Sequence, residues 1–121
     1  MTGARTWVIA DGWIPPSSVA PRPELESHDS ICMVNVGPRP AEVELVVYFT
    51  DREPVGPFPF TVPAERALHR RINDLNDPEA IPRGVDYSML ITSTEPIVVQ
   101  HTRVDTRQPE LAIMSTIGYS A

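Results

Sequence analysis

Short apolar runs recur along the chain between prolines, glycines and polar turn residues. In residues 42–49 polar and apolar side chains alternate at first, which is typical of a strand with one buried face. Its apolar set is Val43, Leu45, Val47 and Phe49. Runs of this kind predict eight strands, at residues 6–10, 30–36, 42–49, 58–62, 66–72, 87–93, 96–102 and 111–117.

The connections between these runs predict how some of them pair. Asp11 and Gly12 predict a turn that closes the first run. Residues 37–40, Gly-Pro-Arg-Pro, have the length of a hairpin loop and predict that the second and third runs pair antiparallel. Residues 93–96 predict a second hairpin, between the sixth and seventh runs.

Proline and polar residues mark the edges and loops of the predicted fold. Pro59 lies inside the fourth run and places that strand at a sheet edge. The fifth run has no cleanly apolar face, which indicates an edge or an interface. Residues 13–23 predict an extended loop, and residues 73–78 predict turns or one short helical turn. We predict an all-β chain, with residues 1–121 forming one β-sandwich of about eight to nine short strands.

Composition narrows the class of function. Fourteen prolines in 121 residues leave no room for long helices, and the net charge of −6 disfavours binding to nucleic acid. Cys32 is the only cysteine, and no basic segment followed by a long apolar run opens the chain. These features predict a cytoplasmic protein.

Three histidines form the first candidate functional site, a metal site. His28, His69 and His101 would form a zinc site only if the fold brought them together, because no two of them have the spacing of a local metal motif. Single histidines more often bond a backbone carbonyl. We therefore predict neither a metal nor a cofactor.

Two polar stretches are further candidates. If the strand at residues 96–102 continues, His101, Arg103 and Asp105 share one face, where they either hold a ligand or form an ordinary ion pair at a solvated edge. Residues 51–57 carry two carboxylates around an arginine, which suits acid–base chemistry, although a structural turn with surface ion pairs is the stronger interpretation. Trp13 either contacts a partner or pins its loop to the body.

Sequence signatures of catalysis are missing from the chain. It has no glycine-rich phosphate loop, no CxxC, no HExxH and no GxSxG motif. Cys32 lies inside an apolar run, where cysteine usually fills space in the core. We predict a binding protein and not an enzyme.

Several motifs together resemble the soluble sensory rhodopsin transducer family, which is named after a cyanobacterial member. The resemblance runs nearly from end to end and is specific because the motifs occur jointly and in order. They are Trp7, residues 11–15 (DGWIP), residues 27–28 (SH), residues 51–57 (DREPVGP), residues 73–78 (NDLNDP) and residues 98–103 (VVQHTR).

The resemblance implies a β-sandwich of unusual topology, a homotetramer, and a signalling adaptor that docks on the cytoplasmic side of a seven-helix photoreceptor and relays its state. A sugar-like small-molecule site is the alternative that the wider family implies. A metal-dependent enzyme and a DNA-binding regulator remain lesser hypotheses. The candidate ligand or partner residues that fall in the shared motifs are Trp13, His28, Glu53, Asn73, Asp74, His101, Arg103 and Asp105.

Overall fold

A computed structural model of the protein describes all 121 residues, Met1–Ala121. Eight strands and two three-residue 3-10 turns make up the fold. The strands are β1 Ala4–Gly12, β2 His28–Asn35, β3 Ala41–Phe49, β4 Val55–Val62, β5 Arg66–Arg71, β6 Tyr87–Asp105, β7 Ala112–Ile117 and β8 Tyr119–Ser120. The 3-10 turns are Pro23–Leu25 and Ile72–Asp74, the second where one short helical turn was predicted. The all-β prediction is confirmed, and no helix is long and apolar enough to cross a membrane.

All strand pairs are antiparallel, and the strands form one sheet that folds into two layers. The first layer has the order β4-β3-β6-β1-β8, and the second has the order β5-β2-β6-β7. β4, which contains Pro59, and the arginine-rich β5 each pair on one side only. Both predicted edge strands are therefore at edges.

Strand β6 belongs to both layers and folds over in its middle. Its first half pairs with β1 and β3, and its second half pairs with β2 and β7. Against β1 its register jumps, because Thr6 lies opposite Thr92 whereas Ala4 lies opposite Ile97. The hairpin predicted at residues 93–96 is therefore wrong. The two halves of β6 lie in different layers and do not pair with each other.

The predicted hairpin between the second and third runs is also wrong. β2 pairs with β5 and β6, and β3 pairs with β4 and β6, so the connection at residues 37–40 carries the chain from one layer to the other. Asn35 fixes this crossing, since its Nδ2 donates to the carbonyls of Arg39 at 2.7 Å and Val62 at 3.1 Å, and its Oδ1 accepts from the Gly37 amide at 3.0 Å.

The predicted turn at Asp11 and Gly12 is replaced by more strand. β1 continues through Gly12, which lies opposite Tyr87. A Cβ at Gly12 would come within 2.3 Å of Cε1 in the Tyr87 ring, so the missing side chain lets the buried tyrosine pass. Gly12 therefore allows close packing against Tyr87, and the Asp11-Gly12 dipeptide does not reverse the chain.

One cluster of 21 buried residues fills the space between the layers. The alternation read from residues 42–49 is confirmed, since Val43, Leu45 and Val47 are buried and Phe49 is half-buried at the end of the strand. Ile31 and Met33 of β2 complete the core from the second layer. Such stacking of apolar faces is the main stabilising contribution to a sandwich.

Candidate functional site

The ends of several strands meet at one end of the sandwich. Gly12 and Phe49 both lie opposite Tyr87, so the loops that follow β1 and β3 leave the first layer side by side. Tyr87 and Arg103 both bond the carboxylate of Asp29, although 16 positions separate them in the sequence. A straight strand of that length would span roughly 50 Å. The fold in β6 therefore brings both of its ends to this place, which we call the Asp29 end.

Asp29 is completely buried at the centre of this end. Its Oδ1 accepts from His101 Nε2 at 2.8 Å and from Arg103 Nε at 3.2 Å. Its Oδ2 accepts from the Trp13 amide at 2.9 Å and from the Tyr87 hydroxyl. A carboxylate offers about four acceptor positions, so the chain's own donors occupy all of them.

These contacts set the ionisation of Asp29 and Tyr87. Burial raises the pKa of Asp29, but the hydrogen bonds from His101, Tyr87 and the Trp13 amide outweigh it and leave that pKa below its ordinary value. Burial, together with the neighbouring Asp29 carboxylate, raises the pKa of Tyr87. Asp29 is therefore an anion held by donors, and Tyr87 is a neutral donor.

Trp13 lies half-buried at the surface of the Asp29 end, near two arginines. The guanidinium carbon of Arg107 is 4.9 Å from its ring centroid, and that of Arg103 is 5.8 Å away. Asp105 holds Arg107 through three contacts of 2.8 to 3.1 Å, and these hydrogen bonds lower the pKa of Asp105. Trp13 is thus tied to the body through its backbone, while its ring meets solvent beside a polar pair.

Four of the eight predicted site residues surround Asp29: Trp13, Asn73, His101 and Arg103. The Asn73 side chain accepts from the Asp29 amide at 3.2 Å and donates to the Ser27 carbonyl at 3.1 Å. Asp105 does not bond Asp29; it pairs with Arg107, which lies near the Trp13 ring. The ion pair considered between Arg103 and Asp105 does not form, because Arg103 turns inward to Asp29 and to the Asp11 carbonyl at 2.8 Å.

The other three predicted residues lie apart from this cluster. His28 is buried, and its Nδ1 bonds the Glu26 carbonyl at 2.6 Å. Asp74 and Glu53 are exposed, and their side chains bond nothing in the chain. Glu53 follows β3, whose last residue lies opposite Tyr87, so its loop leaves from the Asp29 end.

The three histidines do not meet. His101 lies opposite Ile31 in the core, whereas His69 lies opposite Cys32 on the other face of the second layer. No group of three or more histidine, cysteine, aspartate or glutamate side chains is placed to hold a metal ion.

Of the surface ion pairs expected in the loop at residues 51–57, that of Arg52 forms, whereas the Glu53 side chain bonds nothing in the chain. Arg52 forms an ion pair with Glu79, and its guanidinium carbon lies 4.8 Å from the Phe49 ring centroid. The two carboxylates of the loop, Asp51 and Glu53, are both exposed.

Sequence reasoning missed Asp29, Tyr87 and Arg107. Asp29 directly follows the motif residues Ser27 and His28 and precedes an apolar run, and a carboxylate at the start of a buried strand is a usable signal for a buried polar cluster. Tyr87 gave no such signal, because its partner comes from a strand 58 positions away.

Comparison with known proteins gives one family over almost the whole chain. The model of the family described as Anabaena sensory rhodopsin transducer matches residues 2–120. No curated protein matches the chain at a significant level.

The chain also resembles several solved structures, two of which follow. The crystal structure of Thermotoga maritima 1070 has a TM-score of 0.89 and 34% sequence identity, and the match covers 100% of this chain and 97% of that chain. The structure of the Anabaena sensory rhodopsin transducer has a TM-score of 0.72 and 45% identity, over 83% of this chain and 96% of that chain.

Proposed function

The chain belongs to the Anabaena sensory rhodopsin transducer family, and on that basis we propose that it is a signalling adaptor that docks on the cytoplasmic side of a sensory-rhodopsin-like photoreceptor. The observation that carries the proposal is the family match over residues 2–120, supported by 45% identity to a protein named as such a transducer. The adaptor relays the state of the receptor by protein–protein contact and stays in the cytoplasm.

The Asp29 end supports a binding role without covalent chemistry. Asp29 is the best-placed carboxylate for a general base, yet donors from the chain itself fill its acceptor positions. What this end offers to a partner is the half-buried ring of Trp13, the Asp105–Arg107 pair and the free carboxylate of Glu53. We assign the receptor contact to these loops.

Binding to nanodiscs tests the receptor contact. The purified protein is titrated onto nanodiscs that contain the sensory rhodopsin for which the family is named, in the dark and under illumination. We expect saturable binding whose affinity differs between the dark and illuminated receptor. Glu53→Gln should bind about two- to five-fold more weakly, because it removes one exposed charge at the edge of the interface. Glu44→Gln is the matched control, because Glu44 is exposed in the middle of β3. Equal binding to empty nanodiscs would contradict the proposal.

We also propose that the adaptor is a homotetramer, with the outer face of the second layer as one subunit contact. Ile117 lies opposite Gln100 on one side of β6, and Cys32 lies opposite Gln100 on the other side, so these three residues share one face. Val34, which lies opposite Val98, is on the same face. Its central part carries no Asp, Glu or Arg and consists of Cys32, Val34, Ala67, His69, Val98, Gln100, Thr102, Ser115 and Ile117.

Strand β7 gives the strongest reason to expect that another subunit covers this face. All six of its residues are exposed, including Ile113 at 61% and Ile117 at 57%. A strand of a sandwich normally buries one face, and subunit interfaces bury such apolar sets. Two copies that apply this face to each other would form a symmetric contact.

Mass measurement by light scattering tests the tetramer. We expect the wild-type mass to equal four chains and Ile117→Lys to lower it, because a buried lysine without a partner is costly. Ser17→Lys, in the exposed loop after β1, is the control and should keep the wild-type mass. A monomeric wild type would refute the oligomer, and an unchanged mass for Ile117→Lys would refute this contact.

A sugar-like ligand is the second candidate, favoured by the half-buried ring of Trp13 beside the polar Asp105–Arg107 pair. Aromatic rings stack on sugars, and charged pairs bond their hydroxyls. His101 is turned inward to Asp29 and would not take part. Calorimetry against a sugar panel is the measurement, and Trp13→Ala should abolish any heat of binding. The absence of heat at millimolar sugar would refute this candidate.

A further inference from the structure

Strand β7 forms an open edge of the second layer, because it pairs with β6 alone. The Gly118 amide, directly after β7, donates to the Val99 carbonyl at 3.1 Å, which identifies the hydrogen-bonded pairs of this ladder. Bonded and non-bonded pairs alternate along antiparallel strands. The N–H and C=O groups of Ile113, Ser115 and Ile117 therefore point away from β6, towards the open edge.

These outward groups have no backbone partner in the chain. One side-chain contact reaches them, a 3.4 Å approach of Thr116 Oγ1 to the Ile117 carbonyl. Every residue of β7 is exposed, so nothing in the chain covers the edge. A row of free donors and acceptors along an exposed strand is a template on which another strand can pair.

The other three sheet edges carry features that discourage such pairing. β4 contains Pro57 and Pro59, which lack an N–H. β5 has three arginines among its six residues, and β8 is only two residues long. β7, with the sequence Ala-Ile-Met-Ser-Thr-Ile, has no charge, no proline and no glycine. Because natural proteins protect free edges by charge, proline or shortness, this unprotected apolar edge indicates a strand partner.

The sequence of β7 is complementary to itself. When two β7 strands run antiparallel and are centred on Ser115, Ile113 of each copy lies opposite Ile117 of the other. In this register all three outward-pointing residues meet a partner, and no like charges meet because the strand has none. The two isoleucines are 61% and 57% exposed in the single chain, and cross-strand pairs of β-branched side chains stabilise a sheet. A second copy of the chain therefore fits this edge.

We propose that the β7 edges of two copies pair antiparallel and join their second layers into one continuous sheet. The proposal rests on the homotetramer proposed above, because a tetramer built on two-fold axes needs two different contacts and the outer face supplies one. The edge supplies the other. Pairing at the edge leaves the outer faces of both copies on the same side of the joined sheet, so two such dimers can stack through those faces.

Proline at position 115 tests the edge contact. Ser115→Pro removes an N–H that points away from β6, so it spares the bonds between β6 and β7 but blocks pairing at the centre of the edge. Ser115→Ala is the matched control, because it loses the same hydroxyl and keeps the N–H. By light scattering we expect the mass of four chains for the wild type and for Ser115→Ala, and of two chains for Ser115→Pro.

The possible failures are distinguishable. With circular dichroism as the check on folding, a folded Ser115→Pro chain that keeps the four-chain mass would overturn the edge contact and leave the tetramer standing. A monomeric wild type would refute the tetramer and the edge contact together.

Disulfide formation tests the same contact without the proline variant. Ser115→Cys in a Cys32→Ser background places two thiols opposite each other, at a Cα separation of about 5.5 Å that a disulfide can bridge. Ile113→Cys in the same background is the control, since position 113 lies four residues, or roughly 13 Å, along the strand from its own copy. On mild oxidation we expect a covalent dimer from Ser115→Cys only. No dimer, or equal dimer from both variants, would overturn the proposal.

Discussion

Replacement of Asp29 by asparagine changes the charge of the buried cluster and almost nothing of its volume. Four donors point at the two carboxylate oxygens. Asparagine keeps one acceptor oxygen and replaces the other by an NH₂ group. This group would face either the Trp13 amide or Arg103 Nε, which can only donate, beside Tyr87 or His101, which can turn to accept. Asp29→Asn therefore leaves at least one donor without an acceptor and removes the ion pair with Arg103, at a position that is completely buried.

The expected cost is large for a domain of this size. Each buried donor without a partner costs about 1–3 kcal/mol, and breaking a buried ion pair costs about 3–5 kcal/mol. We expect a loss of about 3–5 kcal/mol in the free energy of unfolding at pH 7, a sizeable part of the roughly 5–15 kcal/mol that natural domains have. With a urea m-value of about 2 kcal/mol/M, the midpoint should fall by about 1.5–2.5 M.

Urea denaturation at one fixed chain concentration measures this loss, because oligomerisation would otherwise contribute. Asp51→Asn is the control, since Asp51 is exposed and its side chain bonds nothing, and it should change stability by less than about 0.5 kcal/mol. A loss below about 1 kcal/mol for Asp29→Asn would refute the view that the carboxylate anchors this end.

The pH dependence gives an independent check with a defined sign. The pKa of Asp29 is lower in the folded chain than in the unfolded chain, so the unfolded chain takes up the proton first as the pH falls. The stability that the ionised carboxylate contributes is complete above the unfolded pKa, near pH 4, and is lost as the pH falls through the folded pKa. The difference between wild type and Asp29→Asn should therefore shrink below about pH 4. A constant difference from pH 7 to pH 3 would contradict the assigned charge.

Three further substitutions test the surroundings of the cluster. Tyr87→Phe removes one donor and should cost about 1–3 kcal/mol in urea denaturation, and a neutral result would show that the hydroxyl bond contributes nothing. Arg107→Ala uncovers the Trp13 ring and should increase quenching of tryptophan fluorescence by acrylamide, while the buried Trp7 stays protected and stability changes by less than about 1 kcal/mol. Gly12→Ala puts a methyl group into the Tyr87 ring and should cost about 1–3 kcal/mol, and an unchanged midpoint would mean that the ring moves freely.

The local pattern of the sequence predicted most of the residues that form strands but not which strands pair. Alternation places Val43 and Leu45 inward whatever lies beside them, and Pro59 excludes a central strand in any arrangement. A short connection such as residues 37–40, in contrast, fits two outcomes equally well. It can close a hairpin within one layer or cross to the other layer, and the choice depends on which apolar faces stack across the core.

The candidate site was predictable in part for a related reason. His101 and Arg103 are polar residues in an apolar strand, and a sequence reveals such conflicts because burial of polar groups needs a partner. The partner itself depends on the fold of β6, which brings Tyr87 to the carboxylate that His101 and Arg103 also bond. Exposed residues such as Glu53 and Asp74 carry no such conflict, so their roles rest on the family resemblance alone.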